Sequence, residues 1–385
     1  PKVSLSIQSG PESAKIENNH FVWIPQDIDV GITTVRVDVV SSEDDKILDT
    51  AEMTLHVTLP KIELGFIVKT MELSEDRRYA VLWGPASNHE MRHPAHTGPD
   101  SIAVVDLKSL EIVATKELPQ GIRCATIDSS YVYVAPNSGN LFYRLSHKLE
   151  GNSRQFIQFT PQSLIKIGPE LLAAYAGQMA LFDTKSLKPF SLDGPKNIHP
   201  QEAQAIAAIG KNALQIGPKT FNRHTGEVLR LSLPVNLPQL YEGQVSGNAL
   251  MNQQQSALQW GRRIQGNSIV SHSGSQITSW AGQRTAILSY HWPLAITVAT
   301  AAQNQFSTTT LEMIDLVDGT KRHSAVIDVS PTTRLSHDFN GMNTRIAEAN
   351  DQLLVLIGST LLVASIPESI AKSMPQPPSF SLQQT

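Results

Sequence analysis

Apolar and polar residues alternate with a period of two along much of this chain, and this alternation predicts β-strands. In the segment TTVRVDVV, Val35, Val37 and Val39 fall on one face of the predicted strand, whereas Arg36 and Asp38 fall on the other. In AEMTLHVTL, residues 53, 55 and 57 are the apolar face in the same way. Segments of this kind recur to the end of the chain, which indicates an all-β protein.

Residues 1–59 read as a small unit of their own. Short alternating segments are separated by polar stretches such as SSEDDKILDT, a pattern typical of antiparallel strands joined by exposed turns. This arrangement predicts a small β-sandwich, and Pro60 is the expected boundary. The predicted strands are Val3–Ile7, His20–Ile24, Thr33–Val40 and Ala51–Leu59.

From residue 60 to residue 370 one phrase repeats: a β-rich run, an Asp or another polar residue, a Lys/Gly turn, and a second β-rich run. A hairpin recurring every ~40–50 residues predicts a β-propeller. We count seven blades, and six or eight stay open because residues 236–280 are poorly patterned. Residues 371–385 are rich in Pro, Ser and Gln and are expected to form a tail or linker. The clearest copies are SIAVVDLKSLEIVATKELP, MALFDTKSLKPFSL, KTFNRHTGEVLRLSLP and LEMIDLVDGTKRHSAVIDV.

The repeated acidic residue has a structural explanation. Asp106, Asp183 and Asp315 each follow a β-rich run. A carboxylate in that position can accept hydrogen bonds from the backbone N–H groups of the turn that follows, as in an Asx-turn. We therefore assign these three residues to turn formation and not to catalysis.

Composition excludes several classes of function. The net charge of −4 and the 17% of charged residues provide no basic surface for nucleic acid. No apolar run reaches the roughly 20 residues of a membrane-spanning helix, and Leu353 to Ile366 reads as two strands joined by a turn. The single cysteine, Cys124, allows no internal disulfide and is expected to be a buried, inert thiol.

One local cluster carries candidate chemistry. The segment NHEMRHPAHTGPD contains His89, His93 and His96 and reads as an insertion between two strands of the first blade. Neutral imidazole nitrogen is a good ligand for Zn²⁺ and related ions, so these three residues are the candidate divalent-metal site. The alternative is a solvated histidine-rich loop. Apart from this site, we expect no cofactor.

Two functional hypotheses follow from the pattern. The chain contains neither a G-x-S-x-G elbow nor a G-x-x-x-x-G-K-[ST] loop. We therefore expect a non-catalytic binding or scaffold module whose partners are proteins or other domains of the same, longer chain. The alternative is a propeller enzyme or redox subunit with a metal or cofactor in the central channel, which requires His or acidic side chains to converge on the axis.

Residues 1–59 resemble the bacterial Ig-like and cadherin-like modules. The matching features are a Gly-Pro pair, a Trp-x-Pro, a Gly before a β-rich strand, and an Asp-Thr before the last strand. The resemblance implies that Trp23 is a core anchor and that the first strand or two of the module lie before residue 1. These features correspond to Gly10, Pro11, Trp23, Pro25, Gly31, Asp49 and Thr50.

The repeat region resembles the seven-bladed propellers of exported bacterial proteins, including the Tyr-Val-Thr-Asn and quinoprotein-like types. SEDRRYAVLW followed by SIAVVDLKSLEIVATKELP carries the likeness, although YVYVAPNSGNL only approximates the Tyr-Val-Thr-Asn tetrad. Both resemblances imply a piece of a larger bacterial protein that is exported to the periplasm, the cell surface or the medium.

Overall fold

A computed structural model shows an all-β chain with one short helix among its described residues. The structure describes residues 3–25, 31–57, 59–74, 76–86, 98–151, 153–167, 171–175, 179–190, 206–209, 213–216, 219–222, 228–229, 261–271, 273–282, 284–289, 292–303, 306–331, 344–349 and 352–373. No helix in these ranges is long and apolar enough to span a bilayer.

The first strands form a small antiparallel unit. A three-stranded sheet has the order β1–β4–β5, and β2 pairs with β3 as a separate hairpin. Val35 and Val37 are buried and Arg36 is exposed, as the alternation predicted. Asp38 is also buried, and its carboxylate accepts a hydrogen bond from Thr50 Oγ1 at 2.7 Å. The strands are β1 (Val3–Ser9), β2 (Lys15–Glu17), β3 (His20–Val22), β4 (Gly31–Ser41) and β5 (Ile47–Val57).

The next strands form a series of antiparallel sheets, which we number sheet 1 to sheet 7 in chain order. Sheet 1 contains β7 (Thr70–Leu73), β8 (Tyr79–Pro85), β9 (Asp100–Asp106) and β10 (Glu111–Leu118). Sheet 2 contains β11 (Ile122–Ile127), β12 (Tyr131–Pro136), β13 (Leu141–Ser146) and β14 (Ser153–Phe156). Sheet 3 contains β15 (Ser163–Ile167), β16 (Leu171–Tyr175), β17 (Met179–Asp183) and β18 (Pro189–Phe190). Sheet 4 contains β19 (Ile206–Ile209), β20 (Ala213–Ile216), β21 (Lys219–Asn222) and β22 (Val228–Leu229).

The later sheets continue the pattern. Three strands are described in sheet 5: β23 (Arg262–Gln265), β24 (Ser268–Ser271) and β25 (Gln276–Ser279). Sheet 6 contains β26 (Thr285–Leu288), β27 (Leu294–Gln303), β28 (Phe306–Asp315) and β29 (Lys321–Pro331). Sheet 7 contains β30 (Thr344–Ala349), β31 (Gln352–Ile357) and β32 (Thr360–Ser365), and its fourth strand is β6 (Lys61–Glu63). The predicted pair of strands between Leu353 and Ile366 is confirmed as β31 and β32.

Sheet 7 therefore joins the two ends of the repeat region. Ile62 of β6 lies opposite Leu361 of β32 in an antiparallel register. Beyond this pairing, Leu64 N donates to the Ser359 carbonyl oxygen at 2.9 Å. Residues 61–63, which open the repeat region, therefore complete its last sheet.

Among the described residues, buried apolar side chains lie between five pairs of adjacent sheets, including sheets 7 and 1. Val104 of sheet 1 belongs to the same cluster as Val134 of sheet 2, and Phe142 of sheet 2 clusters with Phe182 of sheet 3. Two further clusters join sheet 5 to sheet 6 and sheet 6 to sheet 7. Another joins sheet 7 to sheet 1, where Leu356 packs in the same cluster as Leu82. Face-to-face packing of this kind is how propeller blades bury their apolar surfaces.

The first strands of several neighbouring sheets lie next to one another. β11 lies beside β7 and β15, and β30 lies beside β7 and β26. We call β7, β11, β15, β26 and β30 the inner strands. In the sheets whose four strands follow one another along the chain, the first-to-second and third-to-fourth connections lie at one end, the turn end, and the second-to-third connection lies at the opposite loop end.

The boundaries of the repeat region are part of its core. Leu59, placed just before the expected boundary at Pro60, is only 5% exposed and belongs to the cluster between sheets 6 and 7. At the other end, helix α1 (Glu368–Ser373) extends past residue 370, where the tail was expected to begin. Its Ile370 packs in that same cluster.

Candidate functional site

The histidine cluster lies outside the described residues. His89, His93 and His96 fall in residues 87–97, so the metal site remains a prediction. Its two stems are described: Pro85 of β8 lies opposite Asp100 of β9, and Ala86 N donates to the Pro99 carbonyl oxygen at 3.0 Å. The segment therefore leaves sheet 1 at the loop end.

The base of this segment is built from sheets 1 and 2 together. The buried Asp100 carboxylate accepts a hydrogen bond from the Ile122 N–H, which ties β9 to β11. Gly121 has a φ of +65°, and a Cβ there would collide with the Asn137 amide and the Gly98 carbonyl oxygen. Only glycine fits this combination of backbone angle and close approach. Arg123 donates to the Asn137 carbonyl oxygen at 2.7 Å.

At the turn end, the repeated aspartates cap the turns as predicted. Asp106 Oδ1 accepts from Lys108 N at 2.9 Å, and Asp315 Oδ1 accepts from Val317 N at 2.7 Å. Asp183 Oδ1 accepts from both the N–H and the hydroxyl of Ser186. These last two hydrogen bonds lower the pKa of Asp183, as expected for a carboxylate stabilised in its charged form.

Four residues after each capping aspartate the backbone enters the left-handed region. Leu110 and Leu187 both have a φ of +57°, and Gly319 has a φ of +73°. A leucine in this region costs about 1–2 kcal/mol. Leu187 is only 7% exposed and packs between sheets 2 and 3, so burial of its side chain offsets that cost.

Basic side chains connect one sheet to the turn of the next. Lys116 Nζ of sheet 1 donates to the Leu149 carbonyl oxygen of sheet 2 at 3.0 Å. Arg262 Nε of sheet 5 donates to the Leu316 carbonyl oxygen of sheet 6 at 3.0 Å. A turn leaves carbonyl groups without ladder partners, so a cation from the neighbouring sheet satisfies them and fixes the spacing of the two sheets.

Arg144 makes the most extensive of these connections. Its Nη1 donates to the Thr184 carbonyl oxygen at 2.8 Å and to that of Lys185 at 2.7 Å, both in the third-to-fourth turn of sheet 3. Its guanidinium also lies over the ring of Tyr131, 4.6 Å from the centroid. One half-buried side chain of sheet 2 therefore binds a ring and a turn at the same time.

A buried network reinforces the turn end of sheet 2. Asp128 accepts hydrogen bonds from Tyr131 N at 2.7 Å and from the Tyr133 hydroxyl at 2.8 Å. Burial and the Asp128 charge raise the pKa of Tyr133, so its hydroxyl stays protonated and donates. His147 Nε2 lies 2.9 Å from the Asp128 carbonyl oxygen, and its ring contacts Tyr79 of sheet 1 at 4.1 Å.

Sheet 6 carries an ion network of its own. Glu312 pairs with Lys321 at 2.9 Å and with Arg284. Burial raises the pKa of Glu312, but the hydrogen bonds from Lys321 and Arg284 outweigh it and lower the pKa below its usual range. Because two cations hold the carboxylate in its charged form, this network has a structural role at neutral pH.

The inner strands carry ionisable side chains that the sequence pattern did not reveal. Glu72 on β7, Lys166 on β15 and Glu348 on β30 are all at least 94% buried. Glu348 Oε1 accepts from the Ser289 hydroxyl, which follows β26, at 3.0 Å. Each of these residues lies alone in a different copy of the repeat, so no local motif could have identified them. Their position on inner strands follows only from the way the sheets pack together.

Cys124 is buried, as predicted. Its thiol lies 3.9 Å from the Pro161 carbonyl oxygen, and it packs between sheets 2 and 3. Burial raises the pKa of this thiol well above its ordinary value, so little of the reactive thiolate forms at neutral pH. Trp23 is half-buried and donates to Ser13 Oγ at 3.2 Å.

The chain was compared with known proteins. No protein-family model and no curated protein matches it. Among solved structures, BamB from Moraxella catarrhalis aligns with 11% identity over 94% of this chain and 100% of its own, at a TM-score of 0.35. Hsv2 from Kluyveromyces lactis aligns with 10% identity over 76% of this chain and 72% of its own, at 0.29. The fold described above follows from the chain's own strand pairing.

Proposed function

We propose that this chain is a non-catalytic binding or scaffold module of a larger, exported bacterial protein. In this proposal, residues 60–370 form a seven-bladed β-propeller, and residues 1–59 form an Ig-like module in front of it. The observation that carries the proposal is the packing of the last sheet against the first, with β6 as the strand that joins them. Sheets closed in this way would make a rigid disc that presents loops to a partner.

The hydrogen bonds of sheet 5 support seven blades. In sheet 2, Ser146 N donates to the Glu150 carbonyl oxygen and Leu149 N to that of Ser146. Sheet 5 has the same two bonds: Ser271 N donates to the Ser275 carbonyl oxygen, and Gly274 N donates to that of Ser271. The strands β24 and β25 therefore correspond to third and fourth strands, and β23 to a second strand. A first strand would precede Gly261, outside the described residues.

The loop end is the better candidate for partner binding. At the turn end, polar groups of the short turns are already hydrogen-bonded within the protein: Asp183 accepts from Ser186 N, and Arg144 donates to the Thr184 carbonyl oxygen. The loop end carries longer connections, including the residue 86–99 segment of sheet 1. Longer loops on a rigid scaffold are where binding residues are usually found.

Site-specific photo-crosslinking in the native host tests this proposal. A photoreactive residue replaces Ser138, exposed at the loop end, and a matched variant carries it at Lys108, exposed at the turn end. We expect a discrete protein adduct from position 138 and none from position 108. Adducts only from position 108, or from neither position, would contradict the proposed binding face.

The buried ionisable residues of the inner strands favour a second candidate function. Glu72, Lys166 and Glu348 would lie near the axis of a propeller, where a propeller enzyme or redox subunit would bind its metal or cofactor. The described residues include no group of three His, Cys, Asp or Glu side chains that could hold a metal, so a metal there would need a ligand from outside them. Metal analysis of the purified chain tests this candidate. Metal that co-purifies at one equivalent and is lost in Glu348→Gln would support it, whereas retention in that variant would remove Glu348 from the site.

The histidine segment is a separate proposed site for a divalent transition metal. His89, His93 and His96 would supply three imidazole ligands. If they do, added Zn²⁺ should raise the thermal stability of the wild type and leave a His89→Ala, His93→Ala double variant unchanged. Equal responses of the two proteins would exclude these residues as the ligands.

A further inference from the structure

The connection between the N-terminal sheet and the closing strand is short. β5 ends at Val57 and β6 begins at Lys61. An extended chain covers at most about 3.6 Å per residue, so this span reaches no more than roughly 14 Å. The N-terminal sheet and β6 therefore cannot move far independently of one another.

The connection is also fixed at its middle. Leu59 is buried in a cluster with Ile327 of sheet 6 and Leu362 of sheet 7. The strand β4 of the N-terminal sheet lies beside β29, the outermost strand of sheet 6. The N-terminal sheet and Leu59 thus rest on the same sheet, next to the seam between sheets 6 and 7.

The closing strand itself is weakly paired. β6 has three residues, and only its Ile62 is buried. Val363 N donates to the Pro60 carbonyl oxygen at 2.9 Å, just before β6, and Leu64 N donates to the Ser359 carbonyl oxygen just after it. A three-residue edge strand at a free chain end would fray, because few hydrogen bonds oppose the gain in conformational entropy.

We propose that the N-terminal sheet acts as a strap that keeps β6 paired with β32. While β4 is seated beside β29, the short connection holds Leu59 in its cleft and leaves β6 no freedom to leave the seam. When the N-terminal sheet is released from β29, residues 59–63 lose their anchor on the N-terminal side, so β6 can fray and expose the edge of sheet 7. A partner that binds the N-terminal sheet would in this way change the stability of the junction between sheets 7 and 1.

Native-state hydrogen exchange on the full chain tests the strap. A flexible Gly-Ser insertion of eight residues after Val57 leaves Leu59 and β6 intact but gives the connection slack. We expect the amides of Leu64 and Val363 to exchange at least tenfold faster, with the amides of β12 in sheet 2 unchanged. The matched control places the same insertion in the 42–44 turn between β4 and β5, where we expect no change at either amide.

A second variant keeps the test decisive if the insertion perturbs folding. Val35 is fully buried in the N-terminal sheet, so Val35→Asp should unfold that sheet without touching β6. Under the proposal, Val35→Asp speeds exchange at Leu64 and Val363 as the insertion does, and combining the two changes adds nothing further. Exchange rates within twofold of wild type in both single variants, or effects that multiply in the combined variant, would overturn the strap.

Discussion

Arg144 provides the sharpest test of how neighbouring sheets are held together. Its Nη1 donates to the carbonyl oxygens of Thr184 and Lys185, and its guanidinium lies over the Tyr131 ring. Replacing it by Gln keeps a polar side chain of moderate length but removes the charge and shortens the reach. We expect Arg144→Gln to lose both hydrogen bonds to sheet 3 and the contact with the ring.

The expected cost follows from these contacts. A hydrogen bond to a charged group contributes about 1.5–3 kcal/mol, and a partly exposed cation–π contact contributes about 0.5–1 kcal/mol. Both hydrogen bonds come from one nitrogen and the side chain is half-buried, so they do not add in full. We therefore expect the free energy of unfolding to fall by about 2–3 kcal/mol, which for a chain of 385 residues is equivalent to a Tm lower by roughly 2–4 °C.

Equilibrium denaturation in urea, followed by fluorescence and circular dichroism, measures this change. The matched control is Arg154→Gln on the adjacent strand, where the guanidinium lies over the exposed Phe156 ring at 5.2 Å. We expect the control to change the free energy of unfolding by less than about 0.5 kcal/mol. An Arg144→Gln variant within about 0.5 kcal/mol of wild type, or a control that costs as much, would refute the proposed role.

Three further predictions concern the turns and the ion network. Asp183→Ala should lower the free energy of unfolding by about 1 kcal/mol, and Asp183→Asn by less, because an amide oxygen still accepts hydrogen bonds. Gly319→Ala should cost more than Gly282→Ala in thermal unfolding: both have positive φ, but only at 319 would a Cβ meet neighbours at 3.0 Å. The lowered pKa of Glu312 means that its stabilising effect is present above its ordinary value of 4.5 and is lost as the pH falls through the lower folded-state pKa. In Glu312→Gln, the free energy of unfolding should therefore fall less steeply than in the wild type as the pH drops below about 4.5, as measured by denaturation at several pH values.

The repeating part of the fold could be predicted from the sequence because it depends on local sequence patterns. Period-two alternation located β4, and the recurring Asp located the turns that Asp106, Asp183 and Asp315 cap. Each of these features depends on residues within a few positions of one another. The strand β6 could not be assigned from the sequence, because three residues carry too little periodicity and its partner lies about 300 residues away.

The connections between sheets escaped prediction for a different reason. Arg144 and Lys116 donate to backbone carbonyl oxygens. Every residue has a backbone carbonyl group, so the sequence does not indicate which residues are their partners. Leucine is a poor choice for a left-handed backbone, and only the assembled core explains why Leu187 occupies one. Glu72 and Glu348 look like ordinary strand residues until the inner strands are brought together.

A disulfide across the seam tests most directly whether the two ends of the repeat region meet. Glu63 lies opposite Thr360. The next pair along the ladder is hydrogen-bonded, because Leu64 N donates to the Ser359 carbonyl oxygen. Glu63 and Thr360 are therefore a non-hydrogen-bonded pair, in which Cα atoms lie about 4.5 Å apart. In a Cys124→Ser background, Glu63→Cys with Thr360→Cys should oxidise to an intramolecular disulfide that raises the Tm. Lys61→Cys with Thr360→Cys, two residues out of register, should remain reduced. Failure of the in-register pair to link in the folded protein, or equal linking of both pairs, would contradict closure by β6.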